Sequence, residues 1–150
     1  MKIILATDGT KHGEAAAQAI RKFALTGNDS VHIVTIVDMA VPLGIDVYSG
    51  YLPDTAEIEK AARDHAEKVI VSTVEMLKAE FEKDPPAISS DVLFGSPDSR
   101  IVETAEEMKA DMIVLGSHGY NRWERLLLGS VSDSVVHHAH CSVLIVRDEE

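Results

Sequence analysis

"KIILATDGTKHGEAAAQAIRKFAL", residues 2–25, changes its rhythm partway along. Residues 2–7 form a short, nearly unbroken apolar run of strand length. After the polar turn Asp8-Gly9-Thr10, Ala16, Ala19, Ile20, Phe23 and Ala24 recur at helical spacing, and Gly27-Asn28 supplies a stop signal. A strand that feeds a helix through a tight polar turn is the first half of a βαβ unit.

The same alternation continues to the end of the chain. "VHIVTIV" (31–37), "ISSDVLF" (88–94), "DMIVLG" (111–116) and "SVLIVR" (142–147) have strand length and are rich in Val and Ile. The runs at 2–7, 31–37, 111–116 and 142–147 are nearly continuous in apolar residues, as expected of strands covered on both faces. Between them, Ile58, Ala62, Ala66, Val69, Thr73, Leu77 and Phe81 form the inward stripe of a long helix over 54–81. Glu59/Arg63 and Asp64/Lys68 stand four apart on its wet side. "DPP" (84–86) ends that helix. "SPDSRIVETAEEMKA" opens with Ser96 as an N-cap and Pro97 in the first helical position. The last helix spans 130–139, where Ser130 and Asp133 fit a capping box.

The order βαβαβαβαβ predicts an α/β fold: one domain over 1–150, a doubly wound five-stranded parallel sheet in the order 3-2-1-4-5, with helices on both faces. In that order the first and fourth strands meet where the winding reverses, and ligands bind outside the carboxyl ends of strands at such a point. "ATDGT" (6–10) is therefore expected to face "GSHG" (116–119).

Composition narrows the partners. With 14 Lys+Arg against 25 Asp+Glu, the formal charge of −11 opposes bulk attraction to nucleic acid or anionic lipid, though not a small anion in a local pocket. The lone cysteine, Cys141, allows no intrachain disulfide. The apolar run at the N-terminus is too short for a signal peptide or a membrane span, so a cytoplasmic location is expected.

Gly116, Gly119, Gly129 and Ser130 are spaced G-x2-G-x9-G-S. Neither a P-loop nor a dinucleotide fingerprint is present, so a phosphate cradle here must be of another design. Gly129 would let an anion approach the N–H groups of residues near 130–132, with the Ser130 and Ser132 hydroxyls as further donors; the same residues also read as an ordinary helix start. Asp8 suits ribose hydroxyls, or else serves the N-terminus of the first helix.

The glycine spacing resembles the nucleotide-binding motif of the universal stress protein family. "IILATDGT", "ADMIVLGSHG" and "LLLGSVSDSVVHHAHCSVLIVR" are similar to its first strand and turn, its fourth strand, and its closing helix and fifth strand. The family usually has Cys-Pro where this chain has Cys141-Ser142, which touches strand entry rather than the pocket. The resemblance implies ATP, or ADP or AMP, lying across the switch point, with Mg²⁺ bridging phosphates. Asp8 then contacts the ribose, with Ala6 and Thr7 beside it. Ile36 meets the adenine through its backbone, and Leu115 lies next to the same pocket. Gly116, Gly119, Gly129, Ser130 and Val131 hold ribose and phosphates. It also implies a homodimer through the fifth strand, Ser142 to Arg147, which would otherwise be an exposed apolar edge.

Other residues stay open. Arg122 and Arg125 either reach the phosphates or are solvated, and Trp123 with Leu126–Leu128 packs the loop onto the domain or a partner. His118, between two glycines, contacts either the loop or the nucleotide, and a lone histidine there is not diagnostic. His137, His138 and His140 diverge too widely on a helix end for a metal site, and Cys141 offers a minor chance of a reactive thiol. In the long connection 38–53, Tyr48 and Tyr51 fold over the adenine as a lid hinged at Gly44 and Gly50, or the segment is partly disordered or covers a partner.

No residue stands out as a general base, so no catalytic residue and no protein metal site are assigned. Three functions remain in view. One is an ATP-binding stress-response or signalling module with at most slow hydrolysis. The second is a nucleotide-independent homodimeric interaction protein with a vestigial pocket. The third is an adenylating or phosphoryl-transfer enzyme, which would need a second substrate site.

Overall fold

The computed structural model describes residues 1–38, 55–81, 83–117 and 128–147. Five strands and four helices alternate: β1 (Lys2–Ala6), α1 (Lys11–Ile20), β2 (Ser30–Val37), α2 (Thr55–Glu80), β3 (Ala87–Phe94), α3 (Pro97–Glu107), β4 (Met112–Gly116), α4 (Ser130–His138) and β5 (Ser142–Val146). The strands form one parallel sheet in the order β3-β2-β1-β4-β5, as the alternation predicts. Leu5 of β1 stands beside Ile33 of β2 and Val114 of β4, so the centre of the sheet is a row of buried aliphatic side chains.

Alternation along each strand divides the core into two layers. Ile3, Leu5, Val31, Ile33 and Val114 pack on Ala16, Ala17 and Ile20 of α1 and on Ile70 and Leu77 of α2. Ile4, Ala6, Val34, Ile113 and Leu115 pack on Ile101 and Ala105 of α3 and Val135 of α4. Both faces of β1 are thereby dry, which is why its sequence shows no polar alternation.

Local differences from the sequence reading have physical causes. The helical spacing through Ala24 predicts a longer α1, yet the helix stops at Ile20. Lys22 N–H bonds the Ala19 carbonyl and Phe23 N–H the Ile20 carbonyl in tight i→i+3 turns. Phe23 and Leu25 still reach the core, from a turn rather than a helix face. Ile58, expected in the inward stripe of α2, is 44% exposed; the buried residues begin at Ala66 and include Val69, Ile70, Thr73 and Leu77. Ser96 takes the N-cap position of α3, but its hydroxyl donates to Asp98 Oδ1 (2.6 Å) instead of capping. The N-cap of α4 is Gly129, so Ser130 is the first helical residue and the Ser130/Asp133 capping box does not form.

His32 is a buried imidazole in the α3 layer. Its Nδ1 lies 2.8 Å from Ser89 Oγ and its Nε2 3.4 Å from Asp91 Oδ2, both on β3. Burial pushes its pKa below the ordinary 6.5, and the Asp91 carboxylate offsets this only in part. The folded protein therefore binds this proton less readily than the unfolded chain. The stability that follows is complete above pH 6.5 and is lost as pH falls through that value towards the folded pKa. Asp29 and Asp98 have pKa values held below 3.8, so their contributions are lost only in stronger acid. Thermal melting should accordingly show Tm falling between pH 7.5 and about pH 5. His32→Asn, which cannot titrate, should flatten that slope; an unchanged slope would remove His32 as its source.

A crevice where the winding reverses

Ala6, Thr7, Asp8, Gly13, Ile36, Pro97, Ile101, Leu115, Gly116 and Val131 line a cleft of about 80 Å³. It opens at the carboxyl ends of β1, β2 and β4, where neighbouring connections leave towards opposite faces of the sheet. Ile36, Pro97, Ile101, Leu115 and Val131 give it an apolar wall, and Thr7, Asp8 and the glycine backbones give it a polar one.

The polar wall is built by close approach. Asp8 Oδ1 accepts from the backbone N–H of Thr10 (3.0 Å) and from its hydroxyl (2.6 Å), and Thr10 Oγ1 accepts from Gly13 N–H as the N-cap of α1. The helix-terminal role open to Asp8 in the sequence is thus filled by one of its oxygens. Gly13 must lack a side chain, since a Cβ there would lie 2.6 Å from Thr7 Oγ1 and 2.9 Å from Asp8 Oδ1. Gly9 turns the chain at φ +76°, a conformation open to glycine, and a Cβ there would lie 2.5 Å from Val69 Cγ2 of α2. At Gly116 a Cβ would meet the His12 backbone at 2.6 Å, so α1 enters directly against the end of β4.

A second set of bonds returns the chain to the crevice. The buried Ser117 extends β4 by bonding the Val146 carbonyl (2.8 Å). Its own carbonyl then accepts from Gly129 N–H at 2.8 Å and from Ser132 Oγ at 2.9 Å. The ends of the long connection are therefore joined, and α4 starts beside the end of β4. No side chain caps α4 among the described residues, and Val131 in its first turn lines the cleft. A helix start of this kind presents unsatisfied N–H groups and the positive end of the helix dipole.

Among the residues expected at the site, Ala6, Thr7, Asp8, Ile36, Leu115, Gly116 and Val131 line this one cleft. Gly129, Ser130 and Ser132 stand at the head of α4. The role given to the Ser132 hydroxyl needs correction. Ser132 is 2% exposed and its hydroxyl turns inward to the Ser117 and Gly129 carbonyls, because α4 must be stitched to β4 before it can present anything. Gly119, His118, Arg122, Trp123 and Arg125 lie outside the described residues, as do Gly44, Tyr48, Gly50 and Tyr51. Gly13, Pro97 and Ile101 were missed by sequence reasoning. The Pro97 signal was present: a helix beginning directly after the third strand must start at the carboxyl edge of the parallel sheet, where the crevice opens.

The remaining chemical groups are engaged elsewhere. His137 and His138 each place Nδ1 at 2.8 Å from the carbonyl four residues back, Asp133 and Ser134 respectively. Burial, together with the Asp111 charge, pushes the Cys141 thiol up, away from the reactive thiolate. Among the described residues no helix is long and apolar enough to cross a membrane.

A parallel sheet wound in both directions, with a helix N-terminus and a carboxylate meeting over an apolar crevice at the switch point, defines a doubly wound α/β protein. The universal stress protein family model matches residues 1–147, and the chain belongs to that family. A Staphylococcus aureus (strain USA300) relative named as a universal stress protein is 34% identical over 149 residues, covering 99% of this chain and 84% of the relative. The solved structure of the protein MJ0577 superposes with a TM-score of 0.82 at 23% identity, covering 99% of this chain and 96% of that one. A universal stress protein solved in complex with cAMP is 26% identical, with a TM-score of 0.58 and coverage of 97% and 95%.

The contact at Gly116 gives a direct test of how tightly the crevice is assembled. Gly116→Ala forces α1 away from β4 and should destabilise the protein by about 1–3 kcal/mol, the usual cost of overpacking. Urea unfolding at constant m-value measures this; a loss below ~0.5 kcal/mol would mean that α1 yields freely.

Proposed function

We propose that the crevice binds an adenine nucleotide, ATP foremost and ADP or AMP with it, and that the protein is a nucleotide-dependent stress-response or signalling module. The observation that carries this is the pairing of an apolar wall with two polar ends of opposite character. Asp8 offers acceptors, and the uncapped start of α4 offers donors. A nucleotide has the matching order: a flat apolar base, a ribose with hydroxyl donors, and anionic phosphates. The family relative in complex with cAMP supports an adenine nucleotide as the ligand class.

In this reading the base lies against Ile36, Pro97, Ile101 and Val131. A carboxylate only accepts hydrogen bonds and a hydroxyl can donate one, so Asp8 is suited to the ribose hydroxyls. Gly116 lines the polar side of the cleft, where the sugar would lie. Phosphate oxygens take the N–H groups at the head of α4 and the Ser130 hydroxyl, with the helix dipole favouring their charge. Ser132 acts indirectly, by holding Gly129 to Ser117. Mg²⁺ would accompany the phosphates and offset part of their charge.

Binding rather than turnover is the event. Asp8 is engaged at the α1 turn, and Asp133 in the first turn of α4 is exposed. Hydrolysis, if any, is therefore slow. Among the described residues, the outer edge of β5 pairs with no strand, and its Val143, Leu144, Ile145 and Val146 are only partly buried; pairing of this edge with a second copy gives a homodimer.

Isothermal titration with ATP, ADP and AMP tests the assignment, together with native mass spectrometry for dimer mass and retained nucleotide. Wild-type protein should bind ATP, and Gly129→Val, which crowds the head of α4, should weaken ATP at least tenfold while sparing adenosine. Absence of binding at millimolar ATP would sink the reading. ATP turnover near the ~10 per second typical of enzymes would instead make the protein an enzyme.

A further inference from the structure

The apolar wall of the crevice is shared between two helices: Pro97 and Ile101 come from α3, Val131 from α4. Its width is therefore set by the seam between those helices. Deeper in the seam, Ile101, Ala105 and Val135 make an apolar contact, which is non-directional and tolerates sliding. At the crevice end the contact is different. Ser134 Oγ, one turn beyond Val131, donates to Asp98 Oδ2 at 2.7 Å, and Asp98 directly follows Pro97 in the chain. Ser96 Oγ donates to the other carboxylate oxygen, Oδ1, at 2.6 Å. The same Ser134 Oγ lies 3.3 Å from His138 Nδ1, whose ring is anchored on the Ser134 carbonyl at 2.8 Å. Among the described residues, Ser134 to Asp98 is the one side-chain hydrogen bond joining α3 to α4.

We propose that Asp98 and Ser134 form a clamp that positions Pro97 and Ile101 against Val131, and so sets the fit of the crevice for the adenosine part of the ligand. They are positioning residues. Each Asp98 oxygen is already taken by a serine hydroxyl, so the carboxylate acts within the seam and does not offer itself to the ligand. Its charge makes this hydrogen bond stronger than a neutral one. The two serine hydroxyls hold its pKa below the ordinary range, so the clamp stays ionised at neutral pH. The clamp leaves the phosphate end alone: the head of α4 is fixed separately through Ser117, Gly129 and Ser132.

This inference rests on the adenine-nucleotide reading, and titration keeps the two separable. Adenosine and ATP are titrated at 25 °C into wild type, Ser134→Ala, Asp98→Asn, the double variant and Ser134→Thr, with the melting temperature of each free protein recorded. Ser134→Ala should weaken adenosine and ATP by the same factor, about 3–10-fold, the loss expected for one charge-assisted hydrogen bond. Asp98→Asn should weaken both in the same direction. The double variant should be no worse than the weaker single one, since both members serve one contact. Ser134→Thr, which keeps the hydroxyl, should restore binding. A merely structural tie would lower Tm and leave both affinities within twofold of wild type, and that result overturns the proposal. So does a Ser134→Thr protein as weak as Ser134→Ala, or a loss confined to ATP. If wild type takes up neither ligand, the nucleotide reading itself fails, and the clamp falls with it.

Discussion

Parallel pairing of β1 with β4 is the constraint from which the rest of this molecule follows. Ile3, Ile4 and Leu5 sit beside Met112, Ile113 and Val114 with both faces covered, so neither strand can slide without moving apolar side chains between layers. Because β2 continues on one side of β1 and β5 on the other side of β4, the connections part at this pair. Doubly wound sheets take their ligands in the crevice left at such a point.

Backbone approach, more than side-chain chemistry, shapes that gap. Gly13 lets α1 come down on Thr7 and Asp8, and Gly116 lets α1 touch the end of β4. The Ser117 carbonyl collects Gly129 N–H and the Ser132 hydroxyl, so the long connection after β4 returns to its origin and delivers a helix start there. These contacts are short and directional, and each excludes even a methyl group or uses a specific donor. The apolar contacts beneath them are broader and more forgiving, which is why the Asp98–Ser134 hydrogen bond matters at the rim and not in the depth of the seam.

Much of this was legible in the chain. The period change at Thr7–Thr10 marked β1 and α1, and the continuous apolar runs at 2–7 and 111–116 marked strands buried on both faces. The glycine spacing after β4 pointed to the start of α4, whose Val131 shares the cleft with Asp8. Element ends were less legible. The pattern through Ala24 extended α1 beyond Ile20, and Ile58 looked inward although it is exposed. Periodicity records which side chains suit a core, not whether the core extends that far. Ser132 looked like a ligand donor because its sequence position is next to the helix start. Its burial is a property of how α4 meets β4.

By itself, the sequence determined the alternation of strands and helices, the parallel order of the sheet, the turn at Asp8-Gly9 and the family, because all are written in local pattern and spacing. Tertiary structure decided which residues share the crevice. Pro97 and Ile101 join Ile36 and Val131, Gly13 joins Asp8, Ser132 turns inward, and Asp98 reaches Ser134 across 36 positions of chain. The reason is physical. Periodicity fixes the face on which a side chain lies, whereas a hydrogen bond or a close backbone contact between distant segments depends on distances that only the packed sheet and its helices set.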